Sequence, residues 1–437
     1  MPDDTMTADA VVVGAGPAGA AAALELARAG RNVVLVERGA YPGAKNVYGG
    51  VVYGRILDEV VPQWWTEAPV QRWVTRRSTM VMTTTQALTV DYRTSAWDHP
   101  PYNGMTIYRG DFDTWLAGKA VAAGARLVTS TVATSLLRDS AGRIAGVRTD
   151  RPGGDIRAQV VIACDGVNSF LAKEAGLLPR ADAAHTTLGV KETLALTREV
   201  IDERFGLIGD QGMDIEMVGC TSGIPGGGFL YTNLDTVSVG VVVGLEGLVE
   251  ARIRPEELVA GVKAHPAIAP YLRGAELKEY SAHLIPEGGY RAMPRLAIDG
   301  MLVAGDAASM CLAAGLWLEG VNFAIGAGLA AGRTAAEAIA AGDTSARGLA
   351  GYRRRLESSF VLADHKRLRN AADIVLADRM QREYPRLACD FVEQVFTVTN
   401  PLPKLGMARE FLRAVRVNKV RMRSLAHDGW QALRAYR

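Results

Sequence analysis

The sequence predicts an α/β fold in which a Rossmann-type nucleotide-binding domain is interrupted by a mostly antiparallel β-sheet domain and followed by a helical C-terminal region. Three observations lead to this prediction. The chain opens with an apolar strand, a glycine-rich turn and an Ala-rich helix, residues 185–290 are rich in β-forming stretches, and residues 301–304 return to a short apolar run. Because apolar runs without alternation suit strands buried on both faces, the first and last segments belong to one parallel sheet.

The predicted domain organisation follows from these segments. The length of 437 residues agrees with two or three domains. The first domain is predicted to be discontinuous, the inserted β-rich domain to bind substrate or acceptor, and the last region to be helical with a basic tail. The corresponding boundaries are 1–180 and 293–345 for the discontinuous domain, 181–292 for the insert, and 346–437 for the helical region.

Composition and charge exclude several classes of protein. Lys and Arg number 49 against 47 Asp and Glu, so no basic field indicates binding to nucleic acid. The four cysteines are far apart in the sequence, so we predict no metal site and free thiols in a reducing compartment. The first ten residues lack the basic segment of a secretory signal, and the expected location is therefore cytoplasmic.

A glycine motif joins the first predicted strand to the first helix. Glycines at these positions permit a tight turn and a close approach of backbone to pyrophosphate, and the helix N-terminus then faces the phosphates. Glu37 ends the next apolar run and can accept hydrogen bonds from a ribose, while the neighbouring Arg38 raises the alternative of NADP. The predicted dinucleotide site of this motif contains Gly14, Ala15, Gly16, Pro17, Ala18 and Gly19.

A second segment selects FAD among the dinucleotides. Gly305 and Asp306 follow the apolar run 301–304, and an Asp at this place can bind a ribityl hydroxyl group. We predict a buried helix, rather than a membrane span, across the Gly/Ala-rich residues 307–332, with Val321 and Asn322 contacting the cofactor. Since the sequence contains no second glycine motif, a separate NAD(P)H domain is not expected.

Six segments resemble the FixC family, which is related to electron-transfer flavoprotein:quinone oxidoreductases and, more distantly, to geranylgeranyl reductases and aromatic hydroxylases. The resemblance implies an FAD domain of the glutathione reductase/aromatic hydroxylase type. The segments are VVVGAGPAGAAAA (11–23), GAKNVYGG (43–50), ACDGVNS (163–169), GGGFLYTN (226–233), EYSAHLIPEGG (279–289) and LVAGDAASMCL (302–312).

The same resemblance implies further positions around FAD. Physical alternatives remain for two of them, because Lys45 could be a solvated loop charge and Arg109 could form a surface pair with Asp111 or Asp113. Tyr48 stands where geranylgeranyl reductases carry a Cys, which weighs against their chemistry. The positions implied to support FAD are Lys45, Gly49, Gly50, Arg109, Val132, Asp165 and Gly166.

The function implied by the resemblance is electron transfer. Electrons would arrive from the subunits of an electron-transfer flavoprotein and leave to a quinone or a small ferredoxin-like protein, without a general base or nucleophile. The alternative on the same fold is an FAD-dependent reductase or monooxygenase that acts on a small organic or isoprenoid substrate. A third hypothesis is a non-catalytic FAD-binding subunit that relays electrons.

The C-terminal residues 404–437 have the one strong charge bias, with nine Lys or Arg against two acidic residues. Such a helix could lie on the inner face of an anionic membrane, dock an acidic redox protein, or pack on its own domain with a solvated basic face. The sequence leaves these alternatives open. On a single helix the apolar face, which Asn418 interrupts, would contain Phe411, Ala414, Val415, Met422 and Leu425.

Overall fold

A computed structural model of the chain describes residues 6–46, 49–178, 186–315 and 318–436. These residues form two compact units, each assembled from three stretches of the chain. Unit 1 contains Met1–Val70, Ile107–Thr186 and Leu284–Lys366, and unit 2 contains Gln71–Thr106, Thr187–His283 and Arg367–Arg437.

The strands are β1 (Met6–Val13), β2 (Val33–Val36), β3 (Gly49–Val52), β4 (Val70–Met82), β5 (Ala87–Arg93), β6 (Met105–Tyr108), β7 (Arg126–Val128), β8 (Ala133–Arg138), β9 (Ile144–Thr149), β10 (Ile156–Ala163), β11 (Thr186–Ala195), β12 (Gln211–Val218), β13 (Gly226–Thr232), β14 (Thr236–Gly244), β15 (Glu276–Pro286), β16 (Ala297–Ile298), β17 (Met301–Val303), β18 (Leu312–Ala313) and β19 (Leu318–Glu319).

The helices are α1 (Pro17–Arg28), α2 (Arg109–Ala122), α3 (Phe170–Glu174), α4 (Arg198–Phe205), α5 (Leu245–Ala251), α6 (Pro255–Ala264), α7 (Ala269–Leu272), α8 (Gly289–Ala292), α9 (Val321–Ala340), α10 (Gly351–Glu357), α11 (Phe360–Arg367), α12 (Ala371–Val375), α13 (Asp378–Gln381), α14 (Glu383–Phe396), α15 (Met407–Val417) and α16 (Met422–Ala435).

Unit 1 is built on a sheet with the strand order β16-β17-β10-β1-β2-β7. Neighbours from β17 to β7 are parallel, and the hairpin of β8 and β9 continues the sheet from β10. Helices α1 and α9 pack so closely that a Cβ atom on Gly328 would lie 2.1 Å from the carbonyl oxygen of Ala18. Only glycine permits this approach, which explains part of the glycine content of α9.

Unit 2 is built on a sheet with the order β15-β11-β14-β13-β12-β4-β6, with β5 paired to β4. Successive strands in the series β11, β14, β13 and β12 pair antiparallel to one another, whereas β4 runs parallel to β12. One face of this sheet packs with α4 to α7 in an apolar core that includes Ile215, Leu230 and Val239. The sequence predicted the β-rich insert but not the contribution of β4, which comes from outside residues 185–290.

Two helix predictions require correction. The Gly/Ala-rich residues 307–332 are not one helix, because Gly305–Ala308 forms a 3₁₀ turn, β18 pairs with β19, and α9 begins only at Val321. The basic tail is also not one helix, since α15 ends at Val417 and Lys419 adopts a positive φ of 54°. In neither segment does the composition indicate where a helix begins or ends. Tertiary packing sets these boundaries.

The C-terminal helices pack within unit 2. Phe411 of α15 contacts Phe391 of α14 with ring centroids 5.6 Å apart, and Val420 is buried beside Val415. No helix within the described ranges combines the length and hydropathy of a bilayer-spanning segment. The predicted boundary at 180 and 181, like Tyr48, lies outside the described residues, and the four-segment division stays a prediction.

Candidate functional site

The glycine motif forms a cradle at the carboxyl end of β1. Gly14 has a φ of +98°, and a Cβ atom there would lie 2.3 Å from the carbonyl oxygen of Cys164. A Cβ atom on Gly19 would lie 1.8 Å from the carbonyl oxygen of Gly14, so both positions admit only glycine. Gly16 precedes Pro17, the first residue of α1, and a Cβ atom on Gly16 would meet only open space. This backbone is therefore accessible to a phosphate group.

Glu37 directly follows β2 and is buried beside the cradle. Its carboxylate accepts the N–H of Ala15 at 2.9 Å with one oxygen and the N–H of Gly39 at 2.7 Å with the other. The N–H of Thr131 donates to the carbonyl oxygen of Glu37, which brings the predicted residue Val132 to the same edge of the sheet. Arg38 is exposed to solvent. Each carboxylate oxygen keeps capacity to accept a further hydrogen bond from a ribose.

Arg109 forms a largely buried ion pair, not a surface pair. Its Nε and Nη2 atoms donate to the two oxygens of Asp113, each at 2.9 Å, and Asp113 is fully buried. Burial alone would lower the pKa of Arg109, but attraction to Asp113 and Asp306 outweighs burial and raises that pKa. Burial raises the pKa of Asp113 and Arg109 opposes the rise; the bidentate contact keeps the pair ionised. The pair connects Arg109 electrostatically with Asp306.

Asp113 also holds the loop that contains Lys45. The Asn46 side chain donates to Asp113 at 3.4 Å, and a Cβ atom on Gly43 would lie 2.5 Å from the carbonyl oxygen of Arg109. Lys45 itself is exposed. From the sequence, Asp113 was considered only as a surface partner of Arg109, and its contact with Asn46 was not predicted. Its position four residues after Arg109 and its apolar neighbour Phe112 could have indicated a buried ion pair.

Gly305 and Asp306 follow β17 at the same edge of the sheet. Gly305 has a φ of +68°, and a Cβ atom there would lie 2.9 Å from the Cβ of Ala18 in α1. The parallel pairing of β17 with β10, and of β10 with β1, thus places Asp306 close to the first turn of α1. Val321 and Asn322 begin α9, where the Asn322 amide donates to the Glu319 carboxylate.

Asp165 and Gly166 follow β10. The Asp165 carboxylate accepts the Ser169 hydroxyl at 2.8 Å and the N–H of Leu171 at 3.3 Å, so it caps the short helix α3. Burial raises the pKa of Asp165. Gly49 is buried at the start of β3, and a Cβ atom on Gly50 would again meet open space. Direct contact of these residues with a cofactor stays a prediction.

The donor set fits a dinucleotide rather than a metal. The open backbone at Gly16, the N-terminus of α1 and the buried carboxylate of Glu37 suit a pyrophosphate and a ribose. Among the described residues, no group of His, Cys, Asp and Glu has the geometry of a metal site. The four cysteines are free, and burial raises the pKa of Cys220 to about 12, so its thiol stays protonated at neutral pH.

Comparisons with known proteins agree with this geometry. A family model described as an FAD binding domain matches residues 7–223, and the model of the C-terminal domain of the ETF-QO/FixC family matches residues 375–437. The chain is 40% identical to Protein FixC from Escherichia coli O157:H7 over 97% of its length and 98% of the relative. It is 38% identical to the "Probable electron transfer flavoprotein-quinone oxidoreductase YdiS" of Escherichia coli K12 over 98% of each chain.

The fold also matches solved structures. A geranylgeranyl bacteriochlorophyll reductase-like protein from Thermoplasma acidophilum superimposes with a TM-score of 0.72, at 20% identity, over 97% of this chain and 99% of the other. The predicted fold class, the FAD cofactor and the family resemblance are thus confirmed. The chain belongs to the ETF-QO/FixC family and is an FAD-dependent oxidoreductase.

Proposed function

We propose that this chain accepts electrons from an electron-transfer flavoprotein and passes them to a quinone. The observation that carries the proposal is similarity over nearly the whole length to FixC and to a relative whose name contains both partners. A match that includes residues 375–437 extends beyond the nucleotide-binding part that many flavoproteins share. A ferredoxin-like protein is the second acceptor that this family resemblance allows.

In this proposal the chain binds and positions its cofactor and performs little acid–base chemistry in unit 1. FAD, when bound, accepts and donates electrons. The backbone at Gly14–Gly19 and the N-terminus of α1 hold the pyrophosphate, and Glu37 holds a ribose. Arg109, oriented by Asp113, and Asp306 complete the proposed set of cofactor ligands.

The test is anaerobic reduction of the purified, FAD-containing protein. Reduced electron-transfer flavoprotein should bleach its flavin absorbance rapidly, and a short-chain quinone should restore it. NADH and NADPH should be poor reductants, because no second nucleotide-binding motif is present. Substrate-stimulated oxidation of NAD(P)H in air would contradict the proposal and would favour a monooxygenase or reductase of small molecules.

We also propose that the C-terminal helices bring the protein to an anionic membrane, where a lipid-soluble quinone is available. Met422, Trp430 and Leu433 lie along one side of α16 and are half to three-quarters exposed. Arg434 stacks on Trp430 at 4.5 Å, and further Arg and Lys side chains flank the helices. Exposed apolar groups beside basic ones are typical of helices that lie in a membrane interface.

Vesicle sedimentation tests this contact. The protein should bind vesicles that contain phosphatidylglycerol more strongly than vesicles of phosphatidylcholine, and salt should weaken the binding. The Trp430→Ser/Leu433→Ser variant should lose binding. A matched control is Tyr92→Ser, which removes an exposed aromatic group from β5. Equal binding of both lipid compositions would contradict the proposal.

A further inference from the structure

The sheet of unit 2 has one apolar face and one polar face. The apolar face packs with α4 to α7, where Met217, Val241 and Val190 are buried. On the opposite face, paired residues of neighbouring strands form a continuous polar row, because side chains of directly paired residues share a face. In order across β4, β12, β13, β14 and β11, the polar row consists of Arg77, Asp214, Tyr231, Ser238 and Thr193.

The polar row is buried although its members are polar. Asp214, Tyr231, Ser238 and Thr193 are each at most 5% exposed. Among the described residues, the hydroxyl of Thr193 has no hydrogen-bond partner. Burying polar groups costs free energy unless they gain compensating partners, and close packing alone does not require them here. Hydrogen bonds to Tyr231 from Lys191 and to Ser238 from Asn233 compensate part of this cost.

A second carboxylate joins the polar row beside Asp214. Glu216 lies two residues further along β12 on the same face, and both carboxylates share one guanidinium. Arg77 Nη2 lies 2.5 Å from Glu216, and Arg77 Nε lies 3.6 Å from Asp214. One positive charge cannot compensate two buried carboxylates, so one of them favours the protonated form.

Within the described part of the chain, Arg77 is the cation whose charge lowers the pKa of Asp214 and of Glu216. Lys191 of β11 donates to the Tyr231 hydroxyl at 3.2 Å, and Glu279 of β15 faces Lys191. Burial raises the pKa of Asp214 to about 6. Burial and the charge of Asp214 raise the pKa of Glu216 to about 7. These pKa values place the loss of a proton from the pair near neutral pH.

We propose that Asp214 and Glu216, held by Arg77, deliver protons to the quinone-class acceptor; this rests on the proposed function. Reduction of a quinone to a quinol consumes two electrons, which come from the reduced electron-transfer flavoprotein, and two protons. A carboxyl O–H bond breaks as a quinol O–H bond forms. Glu216, whose side chain is a quarter exposed, takes a proton from water, and the transfer repeats once.

The test compares two acceptors on the FAD-containing full chain reduced with dithionite. Short-chain quinone takes up protons, whereas ferricenium takes up electrons alone. Asp214→Asn and Glu216→Gln should each slow quinone reduction about 10²-fold, as loss of a general acid does. Both variants should also lose the pH dependence and the solvent isotope effect of that reaction. Reduction of ferricenium should be unchanged.

Asp91→Asn is the matched control, because Asp91 pairs with Arg76 on neighbouring β5 and β4, outside the polar row. It should keep the quinone rate and pH profile of the unchanged protein. Where Asp214→Asn fails to load FAD, Glu216→Gln carries the test, since its side chain is partly exposed.

The proposal is overturned if FAD-loaded variants keep the original quinone rate and pH profile, or if the reduced protein reduces ferricenium but no quinone. Failure of the proposed electron donor gives a different result. In that case electron-transfer flavoprotein does not reduce the protein, yet the dithionite-reduced protein still shows quinone reduction that depends on Asp214 and Glu216. That outcome supports the proton-delivery proposal and rejects the donor.

Discussion

Two buried ionic clusters, one in each unit, differ in their charge balance. In unit 1, Arg109 and Asp113 form a bidentate pair with one charge of each sign. In unit 2, Arg77 faces both Asp214 and Glu216. The Arg109–Asp113 pair suits a positioning role. A change in the protonation of either residue would leave the charge of the other buried without its partner. The Arg77 cluster is the one to which we assign an exchangeable proton, because burial raises the pKa of Asp214 to about 6 and that of Glu216 to about 7.

Burial alone does not distinguish structural from reactive ionic groups. Asp113 and Asp214 are both buried Asp residues beside an Arg. What differs is the geometry of the contact, because Arg109 donates two hydrogen bonds to Asp113, whereas Arg77 divides its contacts between Asp214 and Glu216. Four variants test this difference, beginning with the one that should have the largest effect on stability.

Breaking the Arg109–Asp113 ion pair should have the largest effect on the free energy of unfolding. Asp113→Asn leaves the Arg109 guanidinium largely buried without its counter-charge, which typically costs about 3–5 kcal/mol of folding free energy. The loop at Asn46 should loosen as well, because it loses its contact to the carboxylate. Urea titration, with release of flavin fluorescence as the readout, measures the free energy, and fluorescence titration measures the dissociation constant of FAD.

The double variant Arg109→Met/Asp113→Leu separates stability from cofactor binding. Removal of both charges should restore most of the stability, because no unpaired ion remains buried. Affinity for FAD should nevertheless stay low if Arg109 is a ligand. Full FAD affinity in the double variant would remove Arg109 from the proposed site.

Protonation of Asp214 and Glu216, the two acids beside Arg77, should make the free energy of unfolding depend on pH. The pKa values of folded Asp214 and Glu216 lie above the unfolded values of about 4, so the folded state binds more protons between about pH 4 and pH 7. Stability is therefore greatest below the unfolded pKa and falls as the pH rises through the folded pKa. The expected loss from Asp214 alone, whose pKa lies at about 6 in the folded protein, is roughly 3 kcal/mol.

Asp214→Asn should flatten this pH dependence, because an amide does not titrate. Unfolding in urea at several pH values between about 4 and about 8 measures the slope for both proteins. Identical slopes would show that Asp214 titrates normally in the folded protein. Infrared absorption of a protonated carboxyl group at neutral pH, lost in the variant, is an independent readout.

The smallest effect should come from an exposed pair in the same sheet. Asp91 accepts from Arg76 Nε at 2.9 Å and 3.1 Å, but Asp91 is about a third exposed. Asp91→Asn should therefore change the free energy of unfolding by about 0–1 kcal/mol. A larger loss, measured in the same urea titration, would mean that partial exposure does not weaken ion pairs in this sheet.

Local patterns predicted much of unit 1. The glycine motif requires a positive φ at Gly14 and the absence of a side chain at Gly19, and these local constraints are visible in the sequence. Glu37 was predicted from its place after an apolar strand. Asp113 was not recognised as buried, because spacing along a helix does not show which face the protein covers. The extent of α9 was misjudged because Gly and Ala give no periodic signal.

The sequence by itself determined the nucleotide-binding motif, the fold class and the family, because short-range steric and hydrogen-bonding requirements leave characteristic residues in order along the chain. Only the tertiary structure decided the polar row, since it depends on the register of five strands between Arg77 and Thr193. It also decided which Arg–carboxylate groups are balanced. The charge balance of a buried group depends on the charges that surround it in space. Residues distant in the sequence supply those charges.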